Sequence, residues 1–288
     1  MAEEALQDEI GPKADLYGLG KQKHWVLLAN WNDPSLQRNK LCMDLSAQMG
    51  LVAMDSEWVD VVLNGKFIGC YTLCEHIRID EERVDIYNWE DAAEKVAEKF
   101  AVKFGFNADD GAALGNILTK NLSWVTDDSV TFMEHTAKPS ELWKKFSNDI
   151  SGGYLFELDH RGGDVTTWTC SVGNLPRVVI NALNPEYLKT DGAMFDYVKT
   201  RWRDYFTAVQ SDNLYDGKGH YSGELADIES MAAYWLVMNV ARNGDAVQGS
   251  RYAYWDHGGR IKFGPAWDFD GALGSWASYW VLSKDASG

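Results

Sequence analysis

Apolar residues recur along the chain with two periods, and the period decides the element. Alternation typical of a strand marks 58–63 and 67–74, joined by Asn64 and Gly65, the dipeptide most characteristic of a two-residue hairpin. In the second run Tyr71, Leu73 and Glu75 share one face, and Cys70, Thr72 and Cys74 share the other. An unbroken apolar run at 24–29 predicts a buried strand, and 153–159 sets Tyr154, Phe156 and Leu158 against Leu155, Glu157 and Asp159. Gly152 and Gly153 ahead of that run mark either a plain turn or a backbone that passes close to a ligand.

Helical spacing begins after Asn30, Trp31 and Asn32. Asp33 reads as an N-cap and Pro34 as the first helical residue. Leu36, Leu41, Leu45 and Met49 form an apolar stripe, and Gly50 stops the helix. Arg38 and Asn39 lie off the stripe and, on spacing alone, read as a solvated face. Further helices are predicted at 92–103, 140–147, 185–209 and 227–243. The third carries a broad apolar face of Met194, Tyr197, Val198, Trp202, Tyr205 and Phe206, and the last buries Ile228, Met231, Trp235 and Met238. No internal repeat is present. Strands come first, a helical stretch follows at 91–150, and later helices carry a terminal hairpin; this order predicts a β-rich first lobe and a helical second one.

Composition narrows the classes. A chain of 288 residues suffices for one large domain or two lobes, and 45% apolar residues with 13 Trp and 13 Tyr argue for a packed core. A net charge of −16 leaves no basic stripe for phosphate contacts, so general nucleic-acid binding is excluded as a partner class. No apolar run is long enough to span a membrane as a helix, and the acidic start lacks the basic and apolar regions of a signal peptide. Cys70 and Cys74 lie about 13 Å apart on one strand, too far for a disulfide. All four cysteines read as ordinary thiols.

The chemistry gathers between 243 and 270. A strand at 251–255 runs into Asp256, His257, Gly258 and Gly259, and a return strand starts at Arg260. With Gly258 and Gly259 as the loop, His257 pairs with Arg260 and Asp268 falls opposite Gly249. Asp245, Ser250, Asp268 and Asp270 then share one end of the hairpin. Such a group holds a divalent metal or divides acid and base roles between carboxylates. Asp245, an oxygen ligand five residues on at Ser250, and Asp268 beyond a short hairpin follow the logic of phosphoryl transfer. Glu75 is open to two readings: the wet end of its strand, or a partner in a cleft.

Four stretches carry a resemblance: KHWVLLANWNDPSLQRNKLCMDLS (23–46), LNGKFIGCYTLCEHIRIDEERVDI (63–86), SGGYLFELD (151–159) and NGDAVQGSRYAYWDHGGRIKFGPAWDFDGALG (243–274). In order and composition they are similar to the CotH (spore coat protein H) family of atypical protein kinases. The resemblance implies an α+β fold: a reduced, kinase-like, two-lobed architecture over 1–288, with a β-rich N-lobe at 21–90, a helical insertion at 91–150 and a mainly helical C-lobe at 151–288. It implies ATP and Mg²⁺ or Mn²⁺ as cofactors, a Ser- or Thr-bearing protein as substrate, and a place in the spore coat, at the cell surface or outside the cell. Asp245 matches the family's catalytic aspartate and Asp268 its metal-binding one. Asp270 and Ser250 join the metal side, and Glu75, Arg38 and Asn39 the nucleotide side. Family members carry a Gly-rich turn and a basic strand ahead of 23–46, which 1–20 matches only at 15–20. The expectation is therefore a sheet without its first strands, with a non-catalytic binding module as the alternative function.

Overall fold

The computed structural model describes residues 13–173, 177–247 and 249–275. Short strands β1 (Ala14–Asp15) and β2 (Lys21–Gln22) pair antiparallel and lead into β3 (Trp25–Leu28). The expectation of missing first strands falls partly on residues 1–12, which lie outside the described residues. Helix α1 (Arg38–Gln48) separates β3 from the long hairpin of β4 (Ser56–Leu63) and β5 (Lys66–Glu75). That hairpin turns at Asn64 (φ 51°) and Gly65 (φ 76°), the two left-handed positions its turn type demands. Helices α2 (Trp89–Phe104), α3 (Ala108–Lys120) and α4 (Ser123–Asp127) follow, then β6 (Val130–Phe132), β7 (His135–Ala137) and the short α5 (Pro139–Leu142). Strands β8 (Tyr154–Asp159), β9 (Thr167–Cys170) and β10 (Val178–Asn184) precede α6 (Ala193–Gln210), α7 (Ser222–Leu225) and α8 (Ile228–Ala241). The hairpin β11 (Arg251–Trp255) and β12 (Lys262–Ala266) comes last. The mixture of helices with small, mainly antiparallel sheets is α+β.

The chain divides into two compact units and passes between them four times. One holds, of the described residues, 13–84, 229–251 and 264–275. Its sheet has the order β3-β5-β4, with Trp25 opposite Glu75 and Ser56 opposite Cys74. The other holds 85–228 and 252–263 of the described residues. Its core is aromatic: Trp89, Phe100, Tyr154, Phe156, Trp202 and Trp255 are fully buried. Asn88 caps α2 by accepting from the amides of Glu90 and Asp91, and Gly105, left-handed at φ 76°, ends it.

Several expectations need correction. Helix α1 starts at Arg38, not Pro34, because the Asp33 carboxylate accepts from the Ser35 and Arg38 amides and forms a separate turn first. Its buried face is Asn39, Cys42, Met43 and Ser46, whereas Leu41 is 55% exposed. Strand β3 is half-buried at a sheet edge. The helix expected from residue 185 starts at Ala193, since β10 runs to Asn184 and Pro185 cannot donate to a helical ladder. Only Pro139–Leu142 of the region around 140–147 is helical. On α8, Tyr234, Val237, Met238 and Ala241 are buried, while Trp235 is 64% exposed and Ile228 is also exposed. At Gly152 a Cβ would overlap the Asp256–His257 peptide, so the close approach there is to the chain's own backbone. All four cysteines are free thiols, as expected, and burial pushes Cys42 and Cys74 up to about 12.

Candidate metal and phosphoryl-transfer site

The site is built within the first unit, where α8 ends. Arg242 turns left-handed at φ 50°, and the buried Asn243 then ties two segments together. Its side-chain oxygen accepts from the Asp245 amide at 3.2 Å, and its side-chain nitrogen donates to the Asp268 carbonyl at 2.9 Å. Asp245 opens a single 3₁₀ turn, Asp245–Val247. Ser250 donates its hydroxyl to Asp268 Oδ2 at 3.1 Å. Both ends of that bond have left-handed backbone, with φ 51° at Ser250 and 63° at Asp268.

The hairpin reaches this meeting through a turn that differs from the expected one. Gly259 donates to the Asp256 carbonyl at 2.8 Å, closing a turn around His257 and a left-handed Gly258. Ile261 then bonds to the Leu225 carbonyl and accepts from the Asp227 amide, which withholds it from β11. The return strand therefore starts at Lys262. Ser250 meets Asp268 through its side chain.

One carboxylate oxygen each from Asp245, Asp268 and Asp270 lies within 4.8 Å of the others. Partial burial pushes Asp268 up to about 6, and the charges of Asp270 and Asp245 push the same way against the Ser250 hydrogen bond. Three half-buried oxygen donors gathered this closely suit a hard divalent cation such as Mg²⁺ or Mn²⁺, which would neutralise them together.

A buried chain of amides braces the cluster. Phe269 is fully buried and donates its backbone N–H to Asn39 Oδ1 at 2.7 Å. Asn39 donates to Asn30 at 2.8 Å, and Asn30 donates to the Thr72 hydroxyl at 2.9 Å. Asn32 donates to Asp270 Oδ2 at 3.1 Å. Thus α1, the loop before it and β5 fix the segment bearing Asp268 and Asp270.

The remaining expected site residues sit differently. Glu75 is buried in an ion pair with Arg83 Nε at 3.3 Å, with further bonds from Gln22 and the Asp55 amide. Burial outweighs these bonds and the Arg83 charge, and holds its carboxyl above the usual range. Arg83 also donates to the carbonyls of His76 and His24, clamping the ends of β5 and β3. Arg38 pairs with the fully buried Asp33. Burial opposes ionisation of Asp33, but hydrogen bonds from Ser35 and Arg38 and the Arg38 charge outweigh it and lower its pKa. Asn39 is neither solvated nor at the cluster itself: it holds the strand end that carries the cluster. Asn30, Asn32 and Asn243 were not singled out from sequence, although the density of Asn and Asp in 30–33 is a visible signal.

No helix among the described residues is long and apolar enough to cross a membrane. No curated protein matches the chain. The family model described as CotH kinase protein matches residues 6–149 and 185–287. Three of the four resembling stretches fall in those blocks, and 151–159 lies between them. With most of its length matched and its aspartates gathered as described, the chain belongs to the CotH kinase protein family.

Proposed function

We propose that this chain transfers the γ-phosphoryl group of ATP to a Ser or Thr hydroxyl of a protein, with a divalent metal. The observation that carries the reading is the convergence of Asp245, Asp268 and Asp270, with Asp268 braced by Ser250. Asp268 and Asp270 hold the metal. When bound, the cation offsets negative charge on the phosphates. Asp245 orients the acceptor hydroxyl and takes its proton as the hydroxyl oxygen bonds to the γ-phosphorus and ADP leaves with the bridging electron pair. Asn243 fixes the distance between the two halves, since it contacts the Asp245 amide and the Asp268 carbonyl at once.

The test is incorporation of labelled phosphate from ATP, with Mn²⁺ or Mg²⁺, into the chain itself or into a Ser- and Thr-bearing acceptor. Asp245→Asn and Asp268→Asn should each abolish it, and unchanged incorporation in both would overturn the assignment. ATP with Mn²⁺ at a hundred times its dissociation constant should also stabilise the fold by about 2.7 kcal/mol. No thermal shift and no incorporation would favour a binding module that has no nucleotide.

A further inference from the structure

Trp31 is 91% exposed, more than any other large apolar side chain among the described residues. An indole is the side chain with the most to gain from burial, so this degree of exposure is costly. The loop that presents it is nevertheless firmly held. On one side, buried Asn30 adopts φ 48° and bonds to Thr72 and Asn39. On the other, Asn32 donates to Asp270 and its carbonyl accepts from the Ser275 hydroxyl at 2.7 Å, while Asp33 is fully buried. The ring thus projects to solvent from a backbone anchored on both sides, one residue from a contact with the acidic cluster.

We propose that Trp31 is the stacking platform for the base of the nucleotide whose phosphates meet the Asp245, Asp268 and Asp270 cluster. This rests on the nucleotide-dependent reading above. The placement supports this: Trp31 is the sequence neighbour of Asn32, whose side chain bonds to Asp270. The neighbours fit as well. Trp31 is flanked in sequence by the polar residues Asn30 and Asn32, so it offers a single flat aromatic face, suited to a planar base. A fixed loop also means that little conformational entropy is lost when the base stacks.

Titration calorimetry of the full chain with ATP and, separately, inorganic triphosphate, each with Mn²⁺, tests this. The variants are Trp31→Ala and Trp31→Phe. Loss of one stacked base corresponds to about a tenfold or larger loss of affinity. Trp31→Ala should therefore weaken ATP by about that factor and leave triphosphate unchanged, while Trp31→Phe should retain most of the ATP affinity. Unchanged ATP affinity in Trp31→Ala, or an equal loss for triphosphate, overturns the proposal while leaving the phosphoryl-transfer reading in place. If the parent chain binds neither ligand, the nucleotide reading fails and takes this one with it. An exposed ring leaves no cavity when removed, and unchanged thermal melting of the free variants would show that the fold is retained.

Discussion

His24 is a residue whose charge state the fold controls. Partial burial, followed by the charges of Arg78, His76, Arg83 and Lys23, lowers its pKa to about 4. The unfolded chain takes up a proton near the ordinary value of about 6.5, so between there and about 4 it binds a proton that the folded chain refuses. Stability should therefore fall as pH drops through that window, with no contribution from this group above it. Thermal melts from pH 7 to pH 4 on the parent and on His24→Gln should show a shallower loss in the variant. Identical profiles would count against the shift. At this same scale the sequence was legible where polarity was the message. Asp245, Ser250, Asp268 and Asp270 stood out as acidic and hydroxyl groups at telling intervals, and they do converge. Asn30 and Asn243 did not stand out, because an amide that bridges two distant segments leaves no periodic trace in either one.

Elements were legible where one face was unambiguous. The β4–β5 hairpin followed from alternation and from Asn64 and Gly65, and α6 from its aromatic face. Helix α1 was misread because its buried face is part polar. Asn39 and Ser46 point inward with Cys42 and Met43, while Leu41 faces solvent, so counting leucines selected the wrong side. The polar members are satisfied in place: Ser46 donates to the Cys42 carbonyl at 2.6 Å, and Asn39 bonds to Asn30 and to the Phe269 amide. Removing a partner from a buried hydrogen bond costs about 1–3 kcal/mol. Asn39→Ala should therefore destabilise the fold by about that much, read as a lower urea midpoint. A change below about 0.5 kcal/mol, the range of an ordinary surface substitution, would contradict the bracing role. The start of the terminal hairpin's return strand, Lys262 rather than Arg260, was missed for a related reason: the bonds that engage Ile261 come from Leu225 and Asp227, far away in sequence.

At the scale of the molecule, a net charge of −16 imposes self-repulsion on every compact state. The screening length falls from about 30 Å at 0.01 M salt to about 8 Å at 0.15 M. The melting temperature in NaCl with a chelator should therefore rise across that range, and a flat or falling response would show that the charges are already balanced locally. The discontinuous units were beyond sequence reading, because a chain that returns to its first unit at 229 and again at 264 signals neither return by composition. The first return brings Asp245, and the second brings Asp268 and Asp270 to α1. One consequence concerns time rather than energy. The amide proton of Phe269 lies between two of the three aspartates and is held by a buried acceptor, so it leaves for solvent only when that bond opens. Its hydrogen-exchange rate is a clock for how often the acidic segment detaches from α1, and it can be read at a single backbone position without substrate or turnover.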